Sequence, residues 1–236
     1  MRPGSVLVVF VVAIAVAVRG HTWARWAESG FDVGDLLLAA IFAVAALTHG
    51  DPVAALGIMA IPSAGAASGA VATFLIASIL GDRCRAWLWR RCRPWMKKTA
   101  VNAGGAAQAL EASPIRWRGV RAVAFTASGA LLEEILFRRF LQNWLAVAIG
   151  PVWAVPIQAA AFGLVHAVPM ALAGAPCSMV AYCMLMPTMT GAALGLLAGY
   201  GLLYPWLVHW GLNFRAATHG GPSACDHGGR QENGGG

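Results

Sequence analysis

The chain has 236 residues, 58% of them hydrophobic and only 11% charged, against roughly 25% charged residues in soluble domains. A soluble fold is excluded on that ground, because it would leave more apolar surface than its polar residues can cover. The net charge of +7 is gathered in one segment, which bears on membrane topology.

Arg2 precedes an apolar run from Ser5 to Val18, closed by Arg19. This resembles the charged and hydrophobic regions of a signal peptide, but no convincing small-residue cleavage site follows, so a retained first span or signal anchor is expected. Asp32 and Asp35 lead into a second run, Leu36 to Leu47, which stops at Thr48-His49-Gly50-Asp51-Pro52. A third run, Val53 to Leu80, contains Pro62 and several glycines; membrane helices tolerate both where neighbours satisfy the freed backbone groups.

Next come Arg83, Arg85, Arg90, Arg91, Arg93, Lys97, Lys98, Arg116, Arg118 and Arg121, against only Asp82 and Glu111. Such a basic interspan segment, 83–121, is expected on the cytoplasmic side. Trp87, Trp89 and Trp95 are interleaved with the bases, which favours a helix at the lipid interface near anionic headgroups and argues against nucleic acid as partner. The five cysteines, Cys84, Cys92, Cys177, Cys183 and Cys225, form no C-x-x-C pair, and they read as small hydrophobes and free thiols.

A Gly/Ala-rich connector, Val101 to Glu111, leads to Ser113-Pro114, a helix-start signal. Apolar segments then run from about Val120 to Val147, Pro151 to Pro169, Met179 to Leu197 and Leu202 to Ala217. The expected fold class is therefore all-α, a polytopic transmembrane helix bundle of about seven spans, six to eight in all. The expected organisation is N-terminal spans with the basic segment over 1–111 and a catalytic membrane domain over 112–217. A disordered tail, 218–236, follows, Gly-rich and too polar to bury a core. His219, Cys225, Asp226 and His227 in that tail are read as disordered rather than as a metal site.

From Ala122 to Phe214 the only acids and strong bases are Glu133, Glu134, Arg138 and Arg139, and the only histidines are His166 and His209. Ionisable groups at membrane depth are costly and usually face a bundle interior or a water-filled cavity. Residues four apart are neighbours on a helix, so Glu134 and Arg138 can pair, Phe162 shares a face with His166, and His209 shares one with Asn213. Glu133 is turned about 100° from Glu134 and is the better candidate for a free carboxylate. Arg139 reads as an interfacial, snorkelling arginine. Gly191, Gly195 and Gly199 allow close helix packing.

Three helices can thus bring one carboxylate, two imidazoles and a carboxamide to one cavity. The carboxylate can take a proton from water attacking an amide carbonyl, and histidine with Asn213 can donate hydrogen bonds to the oxyanion. No G-x-S-x-G nucleophile elbow is present.

Glu133-Glu134-x-x-x-Arg138, Phe162-x-x-x-His166 and His209-x-x-x-Asn213, in this order on successive apolar segments, resemble the CAAX-protease and bacteriocin-processing (CPBP, or Abi) family of intramembrane proteases. That family includes the Rce1-type CAAX endopeptidases, and the likeness covers roughly Val120 to Ala217. The resemblance implies an endopeptidase acting on a membrane-associated protein or peptide, as in CAAX-box protein maturation. It implies that Glu133 and His166 activate the water, that Glu134 pairs with Arg138, and that His209 and Asn213 shape the oxyanion site. It leaves open whether the enzyme is a metalloendopeptidase. Glu133, His166 and His209 would supply three ligands for zinc, but the H-E-x-x-H helix of soluble zinc proteases is absent, and metal-free catalysis is the preferred expectation. Two other readings stand beside the protease: a proton-coupled transporter relaying through Glu133, His166 and His209, and a non-catalytic scaffold or immunity protein of the same fold. The expected location is the plasma membrane.

Overall fold

The computed structural model describes residues 33–102 and 115–219. The expected first span (Ser5 to Val18), most of the Gly/Ala-rich connector, the helix-start signal Ser113-Pro114 and the tail from residue 220 on lie outside the described residues.

All secondary structure among the described residues is helical. Helix α1 is Val33–His49, and a four-residue turn, α2, is Pro52–Ala55. Asp51 caps α2, its carboxylate accepting from the Val53 and Ala54 amides, with Pro52 at the first helical position, where no amide partner is needed. The chain is non-helical from Leu56 to Ser63 and then enters α3, Ala64–Asn102. The expected third run therefore splits near Pro62, which has no amide to continue a helix. The basic, Trp-bearing stretch prolongs α3 rather than forming a separate interfacial helix: no proline lies between the apolar part and Arg93, and the single glycine there, Gly81, is accommodated within the helix.

Helix α4 is Ile115–Glu134, and it passes without a break into a π-helical stretch, Ile135–Gln142, and then α5, Asn143–Ile149. Gly150, at φ 91°, turns the chain into α6, Pro151–Leu172. The hairpin partner α7, Cys177–Leu197, is followed by a 3₁₀ turn, Ala198–Tyr200, and α8, Leu203–His219. Helices α6 and α7 form the most extensive packed pair, and α8 lies against α3, α4 and α7. Three helical stretches among the described residues are long and apolar enough to cross a membrane: Ala64–Cys92, Pro151–Leu172 and Cys177–Tyr200. The shorter apolar helix 37–49 accompanies them.

The distribution of polarity is inverted relative to a soluble protein. Glu134, Arg138 and Gln158 are buried, while Val147 is 90% exposed and Leu47 87%. Lipid is the solvent that makes such a surface favourable, and the costly polar groups retreat to the bundle interior. Close helix approach depends on glycine. A Cβ on Gly163 would lie 2.0 Å from Thr188 Oγ1 and 2.4 Å from the Met184 carbonyl oxygen, so α6 and α7 meet only because that position has no side chain. Leu136, Phe137, Leu141, Leu145, Ala154 and Phe162 form the main core under the π-helical stretch.

Candidate active site

The site begins at the junction of α4 with the π-helical stretch. Glu133 and Glu134 are the last residues of α4, and hydrogen bonding then changes to the wider i→i+5 pattern, a local irregularity frequent at functional sites. The two glutamates point differently, as their roughly 100° offset requires. The Glu134 side chain is fully buried, and the Glu133 side chain is 35% exposed.

Glu134 Oε1 is ion-paired with one side chain and hydrogen-bonded by another. Arg138 Nη1 lies 3.1 Å away, one turn on, and His209 Nδ1 lies 2.7 Å away on α8. The expected Glu134–Arg138 pair is present, and the bond to His209 was not foreseen. Arg138 is also buried beneath Phe162, its guanidinium carbon 4.4 Å from the ring centroid. Its Nη2 reaches towards the Gly191 carbonyl at 3.5 Å, and Gln158 Nε2 donates to the same oxygen at 2.9 Å. Two helix carbonyls are thus used as acceptors, since Gln142 Nε2 donates to Gly195 O at 3.0 Å. The small residues at 191 and 195 let these amides reach the backbone; a Cβ on Gly195 would lie 2.6 Å from Gln158 Nε2.

Glu133 faces the two histidines. Its Oε2 is 3.8 Å from His166 Nε2 and 3.7 Å from His209 Nε2. Both spacings exceed a direct hydrogen bond, and Oε2 has no hydrogen-bond partner among the described residues. The other ring nitrogens are committed. His166 Nδ1 lies 2.8 Å from the Phe162 carbonyl, one turn back on α6, and His209 Nδ1 faces the ion-paired Glu134 carboxylate. A carbonyl and an ionised carboxylate only accept, so each Nδ1 must carry its proton. Each Nε2 is then a lone-pair acceptor on a neutral ring and a donor only on an imidazolium. Three groups that are all acceptors in their simplest states therefore meet around one point.

Phe162 is the hub on which these rings rest. Its centroid is 4.6 Å from that of His166, 5.6 Å from His209 and 4.9 Å from Phe137. Trp206 fixes α8 laterally by donating from Nε1 to the Ala127 carbonyl of α4 at 2.9 Å. Asn213 stands one turn beyond His209 on α8 and is half-buried. Gln158 and Trp206 were missed as supporting residues. A lone carboxamide in the otherwise apolar stretch 151–165 was the available signal for Gln158; nothing in the pattern marked Trp206 beyond its closeness to His209.

Glu133, His166 and His209 are donor types that zinc accepts, but among the described residues no group of three or more His, Cys, Asp or Glu side chains has the arrangement of a metal site.

A helical bundle that exposes apolar side chains and buries a Glu/His/Arg cluster on three neighbouring helices defines an integral membrane protein with a polar interior site. Residues 115–215 match the model of a known family, type II CAAX prenyl endopeptidase Rce1-like. The matched segment holds all three motifs, and over it the chain is similar to the Rce1-like family. No curated protein and no solved structure matches the chain.

Proposed function

We propose that the protein is an intramembrane endopeptidase that hydrolyses a peptide bond of a membrane-associated protein or peptide, with Glu133 as general base. The observation that carries this reading is the approach of Glu133 Oε2 to the Nε2 atoms of both His166 and His209, on the half-exposed side of an otherwise buried cluster. The match of residues 115–215 to the Rce1-like family model supports the reaction class.

A water within hydrogen-bonding reach of Glu133 Oε2 and His166 Nε2 donates one hydrogen to each. Glu133 takes its proton as the water oxygen bonds to the scissile carbonyl carbon, and the carbonyl π electrons move onto oxygen. The resulting oxyanion needs donors, the role usually worth most in acyl transfer. His209 supplies one through Nε2 only as imidazolium, because its Nδ1 proton is held by Glu134. The Asn213 carboxamide supplies the second. As the C–N bond breaks, the proton held by Glu133 passes to the leaving amine, and the carboxylate is regenerated. Glu134 and Arg138 do not touch substrate in this scheme; they orient the imidazole that does.

The substrate is proposed to be a protein C-terminus of CAAX type, by the family's description. The test is cleavage of a prenylated CAAX peptide, and of its unprenylated counterpart, by purified protein in proteoliposomes. Release of the C-terminal peptide by wild type and not by Glu133→Gln supports the reading. Equal release by both removes Glu133 from the mechanism, and cleavage of neither peptide by wild type removes the substrate assignment.

A further inference from the structure

A polar cavity that Glu133, His166 and His209 do not line lies beside the π-helical stretch. Its volume is about 360 Å³, and its lining includes Arg139, Gln142, Asn143, Gly57 and Gly199. No acidic side chain is among its lining residues. Arg139 is tied to the backbone here. Its Nη2 donates to the Ala55 carbonyl at 2.9 Å. Its Cζ, Nε and Nη1 each lie 3.8 Å from where a Gly57 Cβ would stand, so the guanidinium is laid across a glycine that holds φ 67°. One of five N–H donors is thereby used to fix the group, and among the described residues it has no ion-pair partner.

The depth of the cavity identifies what it meets. Ala64, Pro151 and Tyr200 are the ends of the three candidate spans, and the lining segments 57–61 and 198–202 lie directly beside two of them. The two segments are joined by backbone bonds from Ile61 N to Tyr200 O and from Leu202 N to Gly57 O. The basic stretch is at the far end of α3, where Cys92 lies about 42 Å from Ala64 at 1.5 Å per residue. The cavity thus lies at the ends of the candidate spans opposite the basic stretch, the level at which a helix crossing a membrane meets headgroups. Its surroundings are apolar and exposed: Met59 at the rim is 69% exposed and Ile61 62%, as suits contact with acyl chains.

We infer that this cavity is a phosphate-binding site for the headgroup of an anionic membrane lipid, with Arg139 as its cationic ligand and the exposed Asn143 carboxamide as a hydrogen-bonding partner. A planar guanidinium held in place presents paired donors that match phosphate oxygens.

The test is native mass spectrometry of the full-length protein released from nanodiscs of mixed phosphatidylglycerol and phosphatidylcholine. Two variants complement each other. Arg139→Lys keeps a cation and a donor for Ala55 but loses the paired geometry. Gly199→Glu puts a carboxylate into the cavity at a position where a Cβ meets nothing within 4 Å, so its melting temperature should match wild type. Retained phosphatidylglycerol should fall by about tenfold in Gly199→Glu, the factor expected for losing a charged hydrogen bond, and by less in Arg139→Lys. Equal retention in wild type and Gly199→Glu would overturn the site. Displacement of the lipid from wild type by millimolar inorganic phosphate would overturn the lipid assignment, leaving a soluble anion as the ligand.

Discussion

Glu133 and Glu134 are adjacent, and replacing each by glutamine should separate their roles. Glu133→Gln keeps volume and hydrogen bonding but removes the base, so turnover should fall by roughly a hundredfold or more. Its melting temperature in detergent should stay near wild type, because the half-exposed carboxylate anchors no hydrogen bond. Glu134→Gln leaves Arg138 buried without its counter-charge, which costs about 3 kcal/mol, and weakens the acceptor that holds His209 Nδ1. Lower thermal stability and lower activity should therefore appear together in that variant. Stability equal to wild type would contradict the buried ion pair. The metal-free scheme carries its own check: activity should survive dialysis against a strong chelator. Loss on chelation with recovery on adding zinc would make Glu133, His166 and His209 ligands instead.

Among the elements, the α6–α7 hairpin sets the position of Phe162 and His166, and glycine sets the hairpin. Gly163→Ala must push against Thr188 and the Met184 carbonyl, and overpacking of this kind costs about 1–3 kcal/mol. Adding Thr188→Ala should not restore the melting temperature, because the backbone carbonyl remains in place. Gly199→Ala, which meets open space, should leave stability unchanged. A double variant as stable as wild type would show that only the Thr188 side chain limits the approach. The π-helical stretch belongs to this scale too. It re-phases the residues after Glu134, so that Arg138 and Gln142 address the α7 carbonyls while Arg139 turns to Ala55.

For the whole molecule, topology follows from which end carries the bases. Cys92 Sγ lies 3.4 Å from Ser178 Oγ, and Tyr182 is near the Gly81 carbonyl, so the start of α7 lies at the same end as the basic stretch. Asp82 joins Arg215 and Arg85 there, tying α3 to α8. Cys177 is exposed at this end. If the bases stay cytoplasmic, a membrane-impermeant maleimide should label Cys177, in a background lacking the other cysteines, in inside-out vesicles and not in intact cells. The reverse pattern would invert the bundle and place the Arg139 cavity on the cytoplasmic face.

The membrane class, the helical fold and the residues of the cluster were legible in the chain because each is a local property. Apolar length sets spans, and four-residue spacing puts Glu134 by Arg138 and Phe162 by His166 whatever surrounds them. Even the different directions of the two glutamates follow from the pitch of one helix. Contacts between helices were not legible in this way. That Glu134 holds His209 as well as Arg138, that Gln158 and Gln142 use glycine carbonyls, and that Arg139 lies across Gly57 depend on the rotation and depth of neighbouring helices, which packing alone fixes. The docking of segment 57–61 on 198–202 was likewise decided in three dimensions, whereas the split near Pro62 is a local consequence of proline's missing amide.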